Sequence, residues 1–176
     1  ALADGSPASA LAKQLPQFKH WYSQAGTPVV TAKGVYDAAH RQYTLELSQS
    51  CAPTPGQPDK QPFLIPVAIG LVDTAGAAIH LQRASDGADL GLNHTFVLSE
   101  TSETVTFDHL DSEPVPSILR GFSAPVVLNI DLSDAQLLTL LAHDSDGFNR
   151  WEAGQQLAVR LALAAVDATG PVPTEP

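Results

Sequence analysis

Methionine is absent from all 176 residues, and cysteine occurs once, at Cys51. A chain that opens on Ala1 without methionine is expected to be a processed product or a piece of something longer. A lone cysteine excludes an intrachain disulfide and favours a reducing compartment, so a cytoplasmic location is expected. Its setting, Ser-Gln-Ser-Cys-Ala-Pro, reads as a strand end entering a proline loop. A nucleophile would need a positioned base, which that setting does not supply. Basic residues are scarce too: nine lysines and arginines stand against nineteen aspartates and glutamates, for a formal charge of −10. Phosphate binding needs clustered Lys and Arg, and these are scattered, so nucleic acid is not an expected partner. No apolar run approaches the roughly 20 residues that span a bilayer. No basic, apolar and small-residue leader opens the chain either, so no membrane partner is expected.

Chemistry-bearing motifs are missing as well. The histidines His20, His40, His80, His94, His109 and His143 include no pair at i+3 or i+4 and no His-Glu-x-x-His. Most are expected in loops or on the surface, while His109 shares the parity of Phe107, which makes it the candidate for a half-buried place. Asp144-Ser145-Asp146-Gly147 resembles a calcium loop, but an EF-hand needs three alternating oxygen ligands before its glycine. It also needs a glutamate six residues after that glycine, where this chain has Ala153. The plainer expectation is that Asp144 or Asp146 caps the helix that follows. There is no Gly-x-Ser-x-Gly elbow and no glycine-rich phosphate loop. The carboxylate pairs Asp108/Asp111 and Glu100/Glu103 fall in loops, where solvated charge is ordinary. No catalytic, cofactor-binding or metal-binding residue is therefore assigned.

What the chain has in quantity is alternation. With 44% hydrophobic and 16% charged residues it is globular, one domain or one domain with appendages. In Pro62–Asp73, Phe63, Ile65, Val67, Ile69 and Leu71 share one parity and Leu64, Pro66, Ala68, Gly70 and Val72 the other. A strand with one heavily buried face and one lightly packed face is predicted, at an edge or bulged at Pro66. Pro28–Tyr36 and Arg41–Ser50 flank a short polar break and predict a hairpin. Cys51–Gln61, with its prolines, predicts an ordered loop. Further extended segments follow at Ile79–Gln82, Thr95–Ser99, Glu103–His109, Ser117–Phe122 and Pro125–Leu132. Short strands with turns about every ten residues favour an antiparallel β-sandwich.

Helical spacing appears only at the ends. Residues 1–14 are small and polar, and a loose entry is expected. Phe18, Trp21 and Tyr22 fall at i, i+3 and i+4 in a helix predicted over Leu15–Gln24, with Pro16 in its first turn. Ser133 with Gln136 forms a capping-box pattern before a leucine-rich helix, and Phe148–Ala168 reads as a second helix stopped by Gly170-Pro171. These helices carry more apolar surface than a terminal cap needs, as if cut from a larger helical assembly.

Three stretches in order carry a resemblance: QFKHWYSQAGTPVV (Gln17–Val30), TPGQPDKQPFLIPVAIGL (Thr54–Leu71) and HDSDGFNRWEAGQQLA (His143–Ala158), with Phe122-Ser-Ala-Pro125 before an alternating strand. Together they resemble bacterial aminopeptidase N, a zinc metalloaminopeptidase of the gluzincin type. The resemblance implies a mainly β fold: an immunoglobulin-like antiparallel sandwich with a short N-terminal helix and two C-terminal helices. It implies that residues 1–26 are a tail and the exit helix of a preceding catalytic domain. Residues 27–132 would be the sandwich, and residues 133–176 the first helices of a C-terminal helical domain. The family's His-Glu-x-x-His and Gly-Ala-Met-Glu-Asn motifs are absent, so the zinc and the reaction belong to the parent chain and no cofactor is expected here. The expected role is non-catalytic, holding the catalytic and helical domains in position while the parent removes N-terminal amino acids from peptides. Phe18, Trp21 and Tyr22 are the expected interdomain packing residues at one junction, and Phe148 and Trp151 at the other. Excised, the fragment would expose these surfaces and could self-associate. The rival expectation is an independent ligand- or peptide-binding sandwich using the Cys51–Pro62 loop.

Overall fold

The row Phe63, Ile65, Val67, Ile69 and Leu71 is the best-sealed part of the protein, with no member more than 2% exposed. In the computed structural model, which describes residues 10–169, most of it lies on β3 (Ile65–Val72), the centre of one sheet. Ile69 pairs with both His94 and Ile118, and Leu71 with both Ile79 and Pro116. Strands β4 (Ala78–Ile79) and β5 (His94–Leu98) therefore share one edge of β3, and β7 (Val115–Ile118) takes the other. The facing sheet is built on the predicted hairpin, β1 (Val29–Asp37) and β2 (Gln42–Ser50), in the order β6-β2-β1-β8 with β6 at Ser102–Phe107 and β8 at Val127–Ile130. Val30, Tyr43, Leu45, Leu47 and Phe107 from this sheet meet the β3 row, and the core sits between the two layers. The mainly β sandwich with short helices expected from the sequence is the observed fold.

Pairing is antiparallel except that β8 runs parallel to β1, with Val29 opposite Val127 and Ala32 opposite Ile130. The chain leaves β7 in one sheet, turns through a 3-10 segment at Arg120–Phe122 and enters the other sheet in the direction of β1. Alternation marks a strand but says nothing of its direction. The segment expected at Ser117–Phe122 begins earlier and includes Pro116, which is tolerated because β7 pairs on one side only. The Pro66 expectation holds in a specific form. Ser123 Oγ donates to Pro66 O and accepts from Ala68 N, both at 3.0 Å, so a side chain completes the edge of β3 beyond the reach of β7. The missing N–H of Pro66 faces that edge, where no strand would have used it.

The small-residue face of β3 is only partly as light as expected. Leu64 and Pro66 are half-buried, but Ala68, Gly70 and Val72 are sealed. Val72 joins Val115, Leu132, Leu137, Leu140, Ala153 and Leu157 in a second, smaller core. It is closed by α3 (Asp134–His143) and α4 (Gly147–Thr169). α3 opens on the predicted capping box, with Ser133 Oγ accepting from Gln136 N at 3.2 Å and Gln136 Oε1 accepting from Ser133 N at 2.9 Å. At the other end, the predicted single helix is two: α1 (Ala10–Phe18), with Pro16 inside it rather than in its first turn, and α2 (His20–Ser23). The entry expected to be loose is helical from Ala10 onward; residues 1–9 and the Gly170-Pro171 stop lie outside the described residues. His109 is exposed, not half-buried. β6 ends at Phe107, and His109 sits at φ 60° in a turn whose backbone N–H is held by Asp108 Oδ1 at 2.8 Å.

Tyr43 lies across Gly34 of the neighbouring strand, where a methyl group would overlap its hydroxyl. Burial pushes the hydroxyl's pKa up, and the charge of Glu113 adds to the shift. The folded chain then keeps this proton at pH values where the unfolded chain loses it. The stability tied to it is full below about pH 10, the ordinary tyrosine value, and drains away as pH rises further. Denaturant midpoints measured upward from about pH 10 should fall more steeply for the wild type than for Tyr43→Phe. Equal slopes would mean the hydroxyl ionises as freely folded as unfolded.

Candidate functional site

Two groups of polar side chains tie the terminal helices to the sandwich. At the first, the proline loop grips the N-terminal segment. Gln24 pairs with the backbone of Gln61, Nε2 donating to its carbonyl at 2.9 Å and Oε1 accepting from its N–H at 2.6 Å. Gln57 reaches the other way, accepting from Ala25 N at 2.8 Å and donating to Ser23 O at 2.7 Å. Lys60 Nζ donates to Ala25 O, Thr54 Oγ1 and Gln57 Oε1, all within 2.9 Å. His20 Nδ1 donates to Pro62 O, and Trp21 Nε1 to Leu64 O, each at 2.9 Å. The Trp21 ring packs at a tilt of 51° on Phe63 of the core, with centroids 4.8 Å apart. In the loop proposed by the rival reading as a ligand contact, the Gln57 side chain, Lys60 and the backbone of Gln61 are thus committed within the chain.

The predicted aromatic triplet splits. Trp21 turns inward onto the sandwich, while Phe18 and Tyr22 pair edge-to-face at 6.0 Å on the outside, Tyr22 82% exposed.

At the second junction, a charged pair is buried. Arg120 Nη2 lies 3.2 Å from Asp144 Oδ1, and the two side chains are only 7% and 0% exposed. Ser117 Oγ donates to Asp144 Oδ2 at 2.6 Å and accepts from Asn149 Nδ2 at 2.8 Å; Asn149 Nδ2 also donates to Ile118 O at 3.0 Å. Arg120 donates to Ser145 Oγ as well. Asp146 is the helix cap the sequence predicts, with Oδ1 accepting from Asn149 N at 2.9 Å, and its Oδ2 also accepts from Gly121 N at 2.8 Å. Asp144 is not that cap but the buried partner of Arg120. Every strand-to-helix contact in this group links β7 and its following turn to the break between α3 and α4.

The backbone is bent to serve the pair. Leu119, Gly121 and Phe122 all have φ between 53° and 61°. A non-glycine residue there carries about 1–3 kcal/mol of strain, held by the surrounding bonds. The bend turns Arg120 beneath β3, where a methyl group at Gly70 would overlap its guanidinium. Gly70 is the one sequence signal that pointed here, because glycine inside a strand marks a close approach. Arg120, Ser117 and Asn149 gave none, since their partners lie 24 to 32 positions away. Beside this network Phe148 and Trp151 are exposed, and Phe122 joins them, with centroids 5.3 Å from Phe148.

Elsewhere the chemistry is local. His40 Nδ1 lies 2.7 Å from Asp37 Oδ2, and this bond holds the Asp37 carboxyl below its usual range. The bond Gly91 N–H gives Asp89 does most to lower that carboxyl, with help from His80. Both pairs are exposed. Among the described residues, no three His, Cys, Asp or Glu side chains are placed to hold a metal ion. The slot between β5 and β6, lined by Leu47, Phe96, Leu98 and Val105 with Arg83 and Glu103, measures 160 Å³, while the hollows beside Tyr43 and Glu113 and beside Arg83 and Thr106 measure 310 and 360 Å³, at the lower end of the ligand-pocket range of about 300–1,000 Å³.

The family described as domain of unknown function DUF3458, Ig-like fold, matches residues 26–131, and its companion DUF3458_C, described as ARM repeats, matches residues 134–175. The chain is 44% identical over 143 residues to aminopeptidase N of Escherichia coli K12, covering 81% of this chain and 16% of that protein. It is 47% identical over 156 residues to aminopeptidase N of Caulobacter vibrioides, covering 89% of this chain and 17% of that protein. Among solved structures, Legionella pneumophila aminopeptidase A in complex with aspartic acid superposes with a TM-score of 0.70 at 27% identity, covering 92% of this chain and 16% of that one. The chain thus spans about a sixth of the length of the curated relatives it matches.

Two outcomes follow from the junctions. Asp144→Ala leaves Arg120 buried without its counter-charge and should destabilise the chain by about 3–5 kcal/mol in chemical denaturation. The double change Arg120→Met with Asp144→Leu should recover most of that loss, and a double variant no better than the single would overturn the ion-pair account. Acrylamide should quench the exposed Trp151 more strongly than the half-buried Trp21. Trp151→Phe should therefore leave a less quenchable emission than Trp21→Phe, and the reverse order would contradict the described burial.

Proposed function

Because this chain belongs to the DUF3458 family of Ig-like fold, we propose that it is a non-catalytic spacer domain of a longer aminopeptidase N-type enzyme. In this reading residues 1–26 bring the chain in from a catalytic domain, residues 27–132 form the spacer, and residues 133–176 begin a helical domain. The parent would use zinc to release N-terminal amino acids from peptides. The side chains described here do not converge as such a site requires, so no step of that reaction is assigned to them.

The observation that carries the proposal is that a polar network joins the sandwich to the helices at each end. The buried ion pair and its satellites join sandwich to helices, and the amide staple joins sandwich to the incoming helix. Neither opens onto a hollow of ligand size: the one beside Lys60 and Gln61 holds about 70 Å³ and the one beside Asn149 about 30 Å³. A side-chain network with every member satisfied rigidifies what it joins, which is what a spacer between two large bodies needs. Phe18, Tyr22, Phe148 and Trp151 are then the surfaces offered to those bodies, with Trp21 fastening the segment that carries the first pair.

The test is hydrolysis of a fluorogenic aminoacyl amide by the purified 176-residue chain, with zinc added and then chelated. No turnover in either condition is expected. Zinc-dependent turnover would overturn the non-catalytic reading. In the longer enzyme, Asp144→Ala should lower kcat/KM by about 10- to 100-fold, since a small misplacement remote from the chemistry can cost that much.

A further inference from the structure

Tyr36 and Tyr43 stand opposite each other on the β1–β2 hairpin, and their hydroxyls have different fates. Tyr36 donates to Leu110 O at 2.9 Å. Tyr43 is only 3% exposed, yet its hydroxyl has no hydrogen-bond partner among the described residues. A buried tyrosine normally finds one. Every fully buried side-chain oxygen or nitrogen among the described residues is satisfied, so the small exposure that Tyr43 keeps lies at its oxygen. That oxygen lies over Gly34 and opens into a hollow of 310 Å³ between β1, the start of β7 and the end of β8. Gly34 sits in ordinary strand, so the backbone does not demand a glycine there. The room does, because any larger side chain would fill the space the hydroxyl occupies.

The hollow has an apolar wall of Ala32, Pro116, Ile130 and Leu132. Its polar lining has capacity to spare. Glu113 has no ion pair or hydrogen bond among the described residues, and its charge reaches the Tyr43 hydroxyl. Gln136 spends its oxygen on Ser133 N at 2.9 Å and leaves its Nε2 without a bond. Asp131, one residue past the end of β8, adds a second carboxylate at the rim. Lys33 borders the hollow too, but it alternates with the core-facing Ala32 and stands opposite Glu46 on β2. That parity sets its ammonium on the outer face of the sheet.

We propose that this hollow is a binding site for a small primary ammonium ion with a short aliphatic body. The Glu113 carboxylate and the Tyr43 oxygen each accept from the ammonium group, and the apolar wall takes the hydrocarbon. A charge-assisted bond to Glu113 is the strongest contact on offer. An anion would meet two carboxylates in a chain of formal charge −10. A metal ion would lack a third carboxylate, histidine or cysteine there. The site lies apart from both junction networks, and it does not depend on the spacer reading.

The test titrates n-butylammonium chloride into the isotope-labelled 176-residue chain at neutral pH and constant ionic strength. Nuclear magnetic resonance follows the backbone amides of Ala32 and Gly34 and the side-chain amide of Gln136. Saturable shifts are expected, with n-butanol and butyrate binding at least about tenfold more weakly, as loss of a charge-assisted bond implies. Glu113→Gln should weaken n-butylammonium by at least about tenfold, and Tyr43→Phe by about three- to tenfold. Glu46→Gln removes the same charge from the outer face and should leave the affinity within about twofold. Glu113 is exposed, so Glu113→Gln carries the test even where Tyr43→Phe folds poorly. Shifts that rise without saturating, n-butanol or butyrate binding as well as the amine, or Glu113→Gln binding no worse than Glu46→Gln would each overturn the site.

Discussion

Arg120 and Asp144 meet almost out of reach of water, and the surrounding architecture is shaped by that burial. An unpaired charge at this depth would cost several kcal/mol, so the guanidinium is stable beneath β3 only with its partner beside it. Gly70 clears the space, the left-handed turn at Leu119–Phe122 aims the side chain, Ser117 donates to Asp144, Ser145 accepts from Arg120, and Asn149 holds Ser117 in turn. None of these residues is explained by the sandwich core alone. All are explained by the need to fix the α3–α4 corner to the back of β3.

The two junctions solve one problem with different chemistry. Toward the N-terminus, neutral amides and a lysine bond to backbone groups, and a single indole anchors the segment to Phe63. Each of those bonds is partly wet and individually modest, of order 1 kcal/mol. Toward the C-terminus the central bonds, those of Ser117 with Asp144 and Asn149, are dry and gather around a charged pair. The first is a row of separate ties and the second is one knot, so the helix pair should detach all together or not at all.

Most of the fold was readable in the residues because two-fold alternation survives wherever one face is buried. The parity of Phe63 through Leu71, the hairpin around Asp37–His40 and the Ser133–Gln136 box all emerge in the structure where the sequence puts them. What was not readable has common causes. Strand direction leaves no mark on alternation, so the parallel partner of β1 was hidden. His109 kept the parity of a strand that ends two residues earlier, because a turn with positive φ has no period. The site was less legible still: Asp144 looked like an ordinary cap, since the arginine that claims it is distant in the chain and carries no local pattern. Trp21, Phe18 and Tyr22 share a helical stripe on paper, but the helix breaks at Lys19, and a short second helix can turn Trp21 inward while Tyr22 faces out.

The parallel pairing of β1 with β8 has a mechanical side. These are the first and last strands of the sandwich, and four residues of each lie in register. If whatever precedes Val29 and whatever follows Ile130 were drawn apart, the load would run lengthwise along two neighbouring strands pointing the same way. Their hydrogen bonds, set across the strands, would then be sheared together instead of opened one by one. A domain threaded like this resists stretching between its ends far better than one whose terminal strands are antiparallel and can be peeled.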